Sequence, residues 1–368
     1  MREGTGVLVI GGGPAGLAAA IAARMKGFEV TVADGAKPPI DKACGEGLMP
    51  GTMAALRELG VAICPSDGQV FRGIRFVDAA TFVEASFPGA GGFGVRRTTL
   101  HQKMVERAQE CGITLLWNTP VAGFSSDGSI LGDTVIKARW IIGADGIHSR
   151  VRRWIGLDAN ARQEIRFAQR RHYRVKAWTD YMEIHWGQTA QAYVTPLSND
   201  ETCVALISRD SQMRLEDAWR EFPKLAGYLR HAEPSSAERG AVTLTRRLDQ
   251  VYRGNIALIG DASGSVDAVT GEGLCLSFRQ AIALADSLEK GELESYRHAH
   301  RRLARRPNTM GRLLLLLDRY PSLRQRALRC LAEEPELFSR LLAAHLGEAS
   351  PKVLAATSLR LGWQFLTA

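Results

Sequence analysis

Close cysteine pairs are missing from this chain. Its six cysteines, Cys44, Cys64, Cys111, Cys203, Cys275 and Cys330, stand far apart with no CxxC among them. That spacing argues against a zinc knuckle, a redox disulfide or a disulfide-stapled secreted scaffold. No metal site is expected, and the thiols are expected to be reduced, in a cytoplasm. A long apolar run is missing too. The most apolar stretch, Leu313–Leu317, is closed off by Arg312 and Asp318, far short of the roughly 20 residues that a membrane-spanning helix needs. The first strand-like run begins by Val7, so no leader peptide is expected. Low-complexity blocks and internal repeats are absent, which argues against linker-rich and solenoid architectures.

Acidic residues are scarce in one late region. The net charge is +8, and from Arg301 to Arg329 the only acid is Asp318. Against it stand Arg301, Arg302, Arg305, Arg306, Arg312, Arg319, Arg324, Arg326 and Arg329. Leucines lie beside these arginines, so the region fits either peripheral contact with an anionic membrane or a solvated helix face. Nucleic acid is not an expected partner, because no binding motif or aromatic platform accompanies the charge.

Glycine is plentiful, and three of its clusters carry the argument: VLVIGGGPAG from Val7, IIGADGIHS from Ile141 and ALIGDASGSVDAVTGEG from Ala257. In the first, Gly11, Gly13 and Gly16 form GxGxxG between a strand (6–10) and an alanine-rich helix (15–27). Gly11 permits the turn, Gly13 admits a pyrophosphate close to the backbone, and Gly16 lets the helix pack on the strand. Pro14 and Ala15 belong to the same helix start, whose free N–H groups favour phosphate. Asp34 ends a second strand (29–34), 18 residues after Gly16, and is placed to bind a ribose. A dinucleotide site follows from that context; NAD and FAD are not separated by it.

Further along, residues 69–87 alternate as antiparallel strands do, and 98–111 reads as a helix. Strands are expected at 113–117, 140–143, 174–178, 182–186, 190–195, 203–208, 242–248 and 255–259. Helices are expected at 215–231 and 272–288 and over most of 293–346, with Pro321 and Pro335 starting new ones.

The later clusters resemble those of FAD-dependent monooxygenases. Gly143-Ala144-Asp145-Gly146, followed by Ser149 and Arg152, resembles their middle "DG" motif. Gly260-Asp261-Ala262 resembles their late "GD" motif, whose Asp holds the ribityl chain. Val95-Arg96-Arg97-Thr98 resembles the Arg-bearing helix start near the flavin. Lys42-Ala43-Cys44-Gly45-Glu46-Gly47 and Asp267-Ala268-Val269-Thr270-Gly271-Glu272-Gly273 resemble stretches of the geranylgeranyl reductase-like branch. The resemblance covers roughly residues 5–290. It implies FAD held by Gly11, Gly13, Pro14, Ala15, Gly16, Asp34, Lys42, Arg97, Asp145, Gly146, Gly260, Asp261, Gly271 and Gly273.

The fold so implied is α/β: a Rossmann-like, glutathione-reductase-type FAD-binding domain (1–67, 98–158 and 249–290). Into it is inserted an antiparallel-sheet substrate domain (68–97 and 159–248), and a helical C-terminal region (291–368) follows.

The resemblance also implies NAD(P)H as reductant, oxygen added at the flavin C4a position, and hydroxylation of a small hydrophobic, aromatic or polyketide-like substrate. Saturation of isoprenoid lipids and halogenation are the enzymatic alternatives. The reductase signature YxWxFP is replaced by Gln191-Ala192-Tyr193-Val194-Thr195-Pro196, and the halogenase WxWxIP is missing from the same place, which leaves oxygen insertion ahead. A flavin-bearing carrier subunit is the non-enzymatic alternative.

Cys44 reads as a flavin-facing thiol or as a small residue in a tight loop. Glu46 and Glu272 read as acid–base groups or as helix-start caps. His172, Tyr173, Tyr181, His185, Trp186 and Tyr193 are candidates to touch substrate. Of these, His185 or Tyr193 would supply the base or hydrogen bond that a phenol hydroxylase needs.

Overall fold

The computed structural model describes residues 5–78, 81–125, 128–131, 134–158 and 165–348. Its first sheet has six strands, in the order Tyr252–Arg253, Ile256–Leu258, Ala138–Gly143, Thr5–Ile10, Val30–Ala33, Thr114–Leu116. All neighbours pair parallel except the first two. Thr5–Ile10 is central, and its run of apolar residues is buried on both faces, as a covered parallel strand requires. Val7 and Val9 pack with the helices Pro14–Met25 and Gly273–Lys290. Leu8 and Ile10 pack with Val151, Ile155 and Leu258 on the other face. The alanines of Pro14–Met25 keep that helix thin, so it sits close to both the sheet and Gly273–Lys290.

The second sheet runs Glu233–Pro234, Ile165–Arg174, Glu201–Ser208, Ala190–Pro196, Met182–Trp186, Gly73–Val77, Phe82–Ser86, with Arg239–Leu244 also paired to Ile165–Arg174. It is antiparallel except at one place. Met182–Trp186 pairs parallel with Gly73–Val77, because these two strands come from separate excursions of the chain and no hairpin constrains them.

One face of this sheet is covered by helices Glu294–Arg319, Pro321–Glu333 and Pro335–Leu346, through Leu314, Leu328, Leu331, Leu337, Phe338 and Leu342. The opposite face is covered by Leu215–Ala218 and Pro223–Leu229. No described helix is long and apolar enough to cross a membrane. The end of the C-terminal region, from residue 349, lies outside the described residues.

Three local expectations are corrected. The strand expected at 174–178 instead occupies Ile165–Arg174; Arg166, Arg170 and His172 sit at its inward positions, so the segment does not read as apolar alternation. The single helix expected at 215–231 is two, since Pro223 cannot continue the first one and begins the second. The strand expected at 242–248 is Arg239–Leu244, and the chain has left the ladder by Arg246.

Candidate functional site

The strand Thr5–Ile10 ends at Gly11, and the helix Pro14–Met25 starts with its N-terminus facing a cleft of about 540 Å³. Asp34 closes the turn between them. Its carboxylate accepts from Gly12 N at 2.6 Å and from Ala36 N at 2.7 Å, so it braces the loop while lining the cleft. His101, buried, binds Gly12 O through Nε2 at 2.8 Å. Burial holds this imidazole below its ordinary pKa.

Across the cleft, Asp145 accepts from Arg150 N at 2.6 Å and Val151 N at 3.1 Å. Arg152 is buried behind it. It donates to Ile147 O and Ala262 O, both at 3.1 Å, and to Asp158 at 2.8 Å, tying the middle glycine cluster to the late one. Asp261 faces Lys42 at 3.5 Å, and Gly260 N donates to Gln280 at 3.0 Å.

Behind Gly260–Ser263, Ser263 Oγ lies 2.9 Å from His300 Nε2. Burial pushes His300 down to about 4, so the folded protein holds it neutral where the unfolded chain, near 6.5, would take a proton. Stability is therefore lost as pH falls from 6.5 towards 4, by about 3 kcal/mol from this one group. Denaturant titrations at pH 7 and pH 4.5 should show the loss, and H300Q should flatten it. An unchanged slope in H300Q would remove His300 as the cause.

The cleft gathers most of the expected residues. Gly11, Gly13, Pro14, Ala15, Asp34, Lys42, Arg97, Asp145, Gly146, Asp261, Gly271 and Gly273 line it. Gly16 and Gly260 stand behind the wall. Four buried polar atoms of the lining residues have no hydrogen-bond partner among the described residues: Arg97 Nε, Asp145 Oδ1, Gln169 Oε1 and Arg170 Nε. A Cβ at Gly13 or Gly273 would meet no protein atom within 4 Å. Open space over the helix starts at Pro14 and Gly273, with unpaired polar atoms around it, fits a long dinucleotide of the FAD kind.

Of the expected catalytic residues, Cys44, Glu46 and Tyr193 also line the cleft. His185 does not. It lies on the other face of Met182–Trp186, bonded to Glu183 at 2.9 Å with its ring against Phe222, because alternate residues of a strand point to opposite faces. Tyr173, Tyr181 and Trp186 do not line the cleft either. His172 stands behind Glu46, its Nε2 2.6 Å from Glu46 Oε2 and its Nδ1 2.8 Å from Ser236 Oγ.

Glu46 is buried at φ 58°, a conformation that a non-glycine residue adopts only when held there. Its Oε1 accepts from Arg97 N at 3.0 Å, Arg170 Nε lies 3.8 Å away, and its own N–H points at Cys44 Sγ at 3.4 Å. Cys203 adjoins the pair, and burial followed by Glu46 raises its thiol pKa well above the ordinary value. Glu272 is likewise buried, 3.4 Å from His345.

The second sheet also lines the cleft with apolar side chains, Met182, Ala205, Ile207, Val242 and Leu244. Tyr193 is among its polar lining residues. Its hydroxyl donates to Gln191 at 2.9 Å, Gln191 donates to Asp318 at 2.7 Å, and buried Arg166 pairs with both Asp267 and Asp318. Burial raises the Tyr193 phenol, so it stays protonated. Arg166, Arg170, Asp41 and His101 were not singled out from sequence. The available signal was the alternation Arg166, Ala168, Arg170, His172, a polar stripe on one face of a strand.

The family model for an FAD binding domain matches residues 4–303. The chain is 28% identical over 315 residues to the menaquinone reductase of Mycobacterium tuberculosis, covering 78% of this chain and 77% of that one. It is 28% identical over 293 residues to the digeranylgeranylglycerophospholipid reductase 1 of Methanopyrus kandleri, covering 73% and 76%. Its fold matches that of a flavoprotein/dehydrogenase from Cytophaga hutchinsonii with a TM-score of 0.79 at 20% identity, covering 93% and 92%.

Proposed function

Because the chain belongs to the superfamily of FAD-dependent monooxygenases and geranylgeranyl reductase-like flavoproteins, and is an FAD-dependent oxidoreductase, we propose that it saturates a carbon–carbon double bond of a polyprenyl-type lipid. NAD(P)H is the proposed source of electrons. The observation that carries this reading is the Cys44 thiol, on the wall of a cleft lined both by the glycine clusters and by apolar side chains of the second sheet. The two relatives named above act, by their names, on molecules with isoprenoid chains.

Once reduced by NAD(P)H, FAD would supply a hydride in such chemistry; the chain's own part is the proton and the exclusion of water. Cys44 is the proposed proton donor. The Glu46 N–H directed at its sulfur stabilises the charge left when the proton departs. Glu46 itself is fixed by the Arg97 N–H, His172 and Arg170, so the loop 44–46 cannot swing away. Exposed Leu313 and Leu316 on the helix Glu294–Arg319, with exposed Tyr320 just past its end, offer a place to meet the lipid surface from which such a substrate is drawn.

The test is anaerobic mixing of the reduced protein with a geranylgeranyl lipid, which carries no quinone ring to take up the hydrogens instead. A product heavier by two hydrogens supports saturation. C44A should then slow product formation about 100-fold with flavin content unchanged, and C44S should recover part of it. Full turnover in C44A would remove the thiol from the mechanism.

Hydroxylation of an aromatic or polyketide-like compound is the second reading. Tyr193 favours it, as a hydrogen-bonding group that a plain hydrocarbon would not use. That reading requires a product heavier by one oxygen, formed only in air with NAD(P)H.

A further inference from the structure

The arginine-rich region is not used by the reaction proposed above. Arg301, Arg305 and Arg312 are spaced by four and seven residues, which puts them on one face of the helix Glu294–Arg319. That face lines a second cleft, of about 430 Å³, whose opposite wall carries Arg246 and Arg247. Asp249 is the one acid among the described lining residues, and Arg301 donates to its backbone oxygen at 2.8 Å. Arg247 and Arg312 form no ion pair with a described residue. Burial, then the neighbouring Arg312, lowers the Arg247 guanidinium below its ordinary pKa. The two guanidinium groups of Arg247 and Arg312 repel one another unless an anion enters. Ser265 and Val266 line both this cleft and the first one.

We infer that the second cleft, which shares the wall of Ser265 and Val266 with the first, binds a phosphate or diphosphate group of a molecule that the enzyme uses. Guanidinium groups suit this ligand because their forked donors match phosphate oxygens. Two molecules carry that chemistry to such an enzyme: an amphiphilic substrate with a phosphorylated head, and a phosphorylated nicotinamide reductant. The first of these rests on the lipid reading given above.

The test titrates inorganic pyrophosphate into the full-length, FAD-loaded protein by calorimetry. R247Q/R312Q should weaken binding roughly 10- to 100-fold, since two charge-assisted contacts are lost. R326Q/R329Q removes the same charge from exposed positions outside the cleft and should stay within about two-fold. Thermal melts and flavin content check that both variants are folded.

Two further arms identify the source. A rise in KM for geranylgeranyl diphosphate, but not geranylgeraniol, assigns the group to the substrate. A rise for NADPH, but not NADH, assigns it to the reductant. The inference is overturned if wild type does not bind pyrophosphate, if both variants weaken it equally, or if only phosphatidylglycerol vesicles bind. Pyrophosphate binding needs no turnover, so a protein that binds it yet saturates nothing would refute the reaction and leave the cleft intact.

Discussion

Asp267→Ala is expected to lower the unfolding free energy by about 3–5 kcal/mol, the usual loss when one partner of a buried ion pair is removed. Flavin should be lost with it. Both Asp267 oxygens engage Arg166, which is buried in the strand Ile165–Arg174. The same carboxylate accepts from Val269 N at 2.9 Å, and Thr270 Oγ1 donates to Asp267 O at 3.0 Å. Asp267 thus fixes the short loop from Ala268 to Gly273, part of which lines the first cleft. Alanine would leave a buried guanidinium with Asp318 as its remaining carboxylate, at 3.7 Å and shared with Arg209. Replacing both partners, as R166L/D267L, should cost less than D267A because no charge is stranded. Urea denaturation and the flavin absorbance per chain check both statements. Near-wild-type stability in D267A would mean that Asp318 compensates fully.

The same network shows why the sequence was readable at one end of the cleft and not at the other. The glycine clusters are local: strand, turn and helix start lie within about ten residues, and the geometry that makes them glycine is written in their spacing. Their shared cleft follows from strand order, which parallel pairing of Thr5–Ile10 with Ala138–Gly143 largely fixes.

The substrate end is assembled from distant pieces. Glu46 meets His172, Asp41 meets Arg170, and Gln191 meets Asp318. No short pattern encodes such pairs, and charged residues at inward strand positions disguised the strand itself. His185 was misplaced for a related reason: alternation fixes which residues share a face, but not which face meets the cleft.

The Gln191–Pro196 segment, read from sequence as a weakened reductase signature, is the strand Ala190–Pro196. Its Thr195 hydroxyl donates to Gly45 O at 2.7 Å. It braces the Cys44 loop, so a departure from the family string there does not by itself count against reduction.

Two alanine substitutions only three residues apart should fail in different ways. A Cβ on Gly16 would fall on the Gly11 carbonyl oxygen, inside a helix start that has no room to retreat from the sheet. G16A should therefore disrupt the turn and yield little folded protein, although alanine is the better helix former by roughly 1 kcal/mol. Gly11 is equally constrained, by a φ of +111° and by the Ala144 carbonyl. Gly13 is different. Its backbone, at φ −70° and ψ 177°, suits any residue, and a Cβ there would meet no protein atom within 4 Å.

G13A should then fold with stability within about 1 kcal/mol of wild type. Its added methyl group, however, would occupy space over the helix start that the pyrophosphate of FAD would fill. Flavin affinity should fall roughly 10- to 100-fold, the cost of forcing a methyl group into a fitted contact. Melting curves of the flavin-free proteins, set beside flavin titrations, separate the two failures. If G13A bound FAD like wild type, the cofactor would not approach this helix start, and the placement of its phosphates would have to be abandoned.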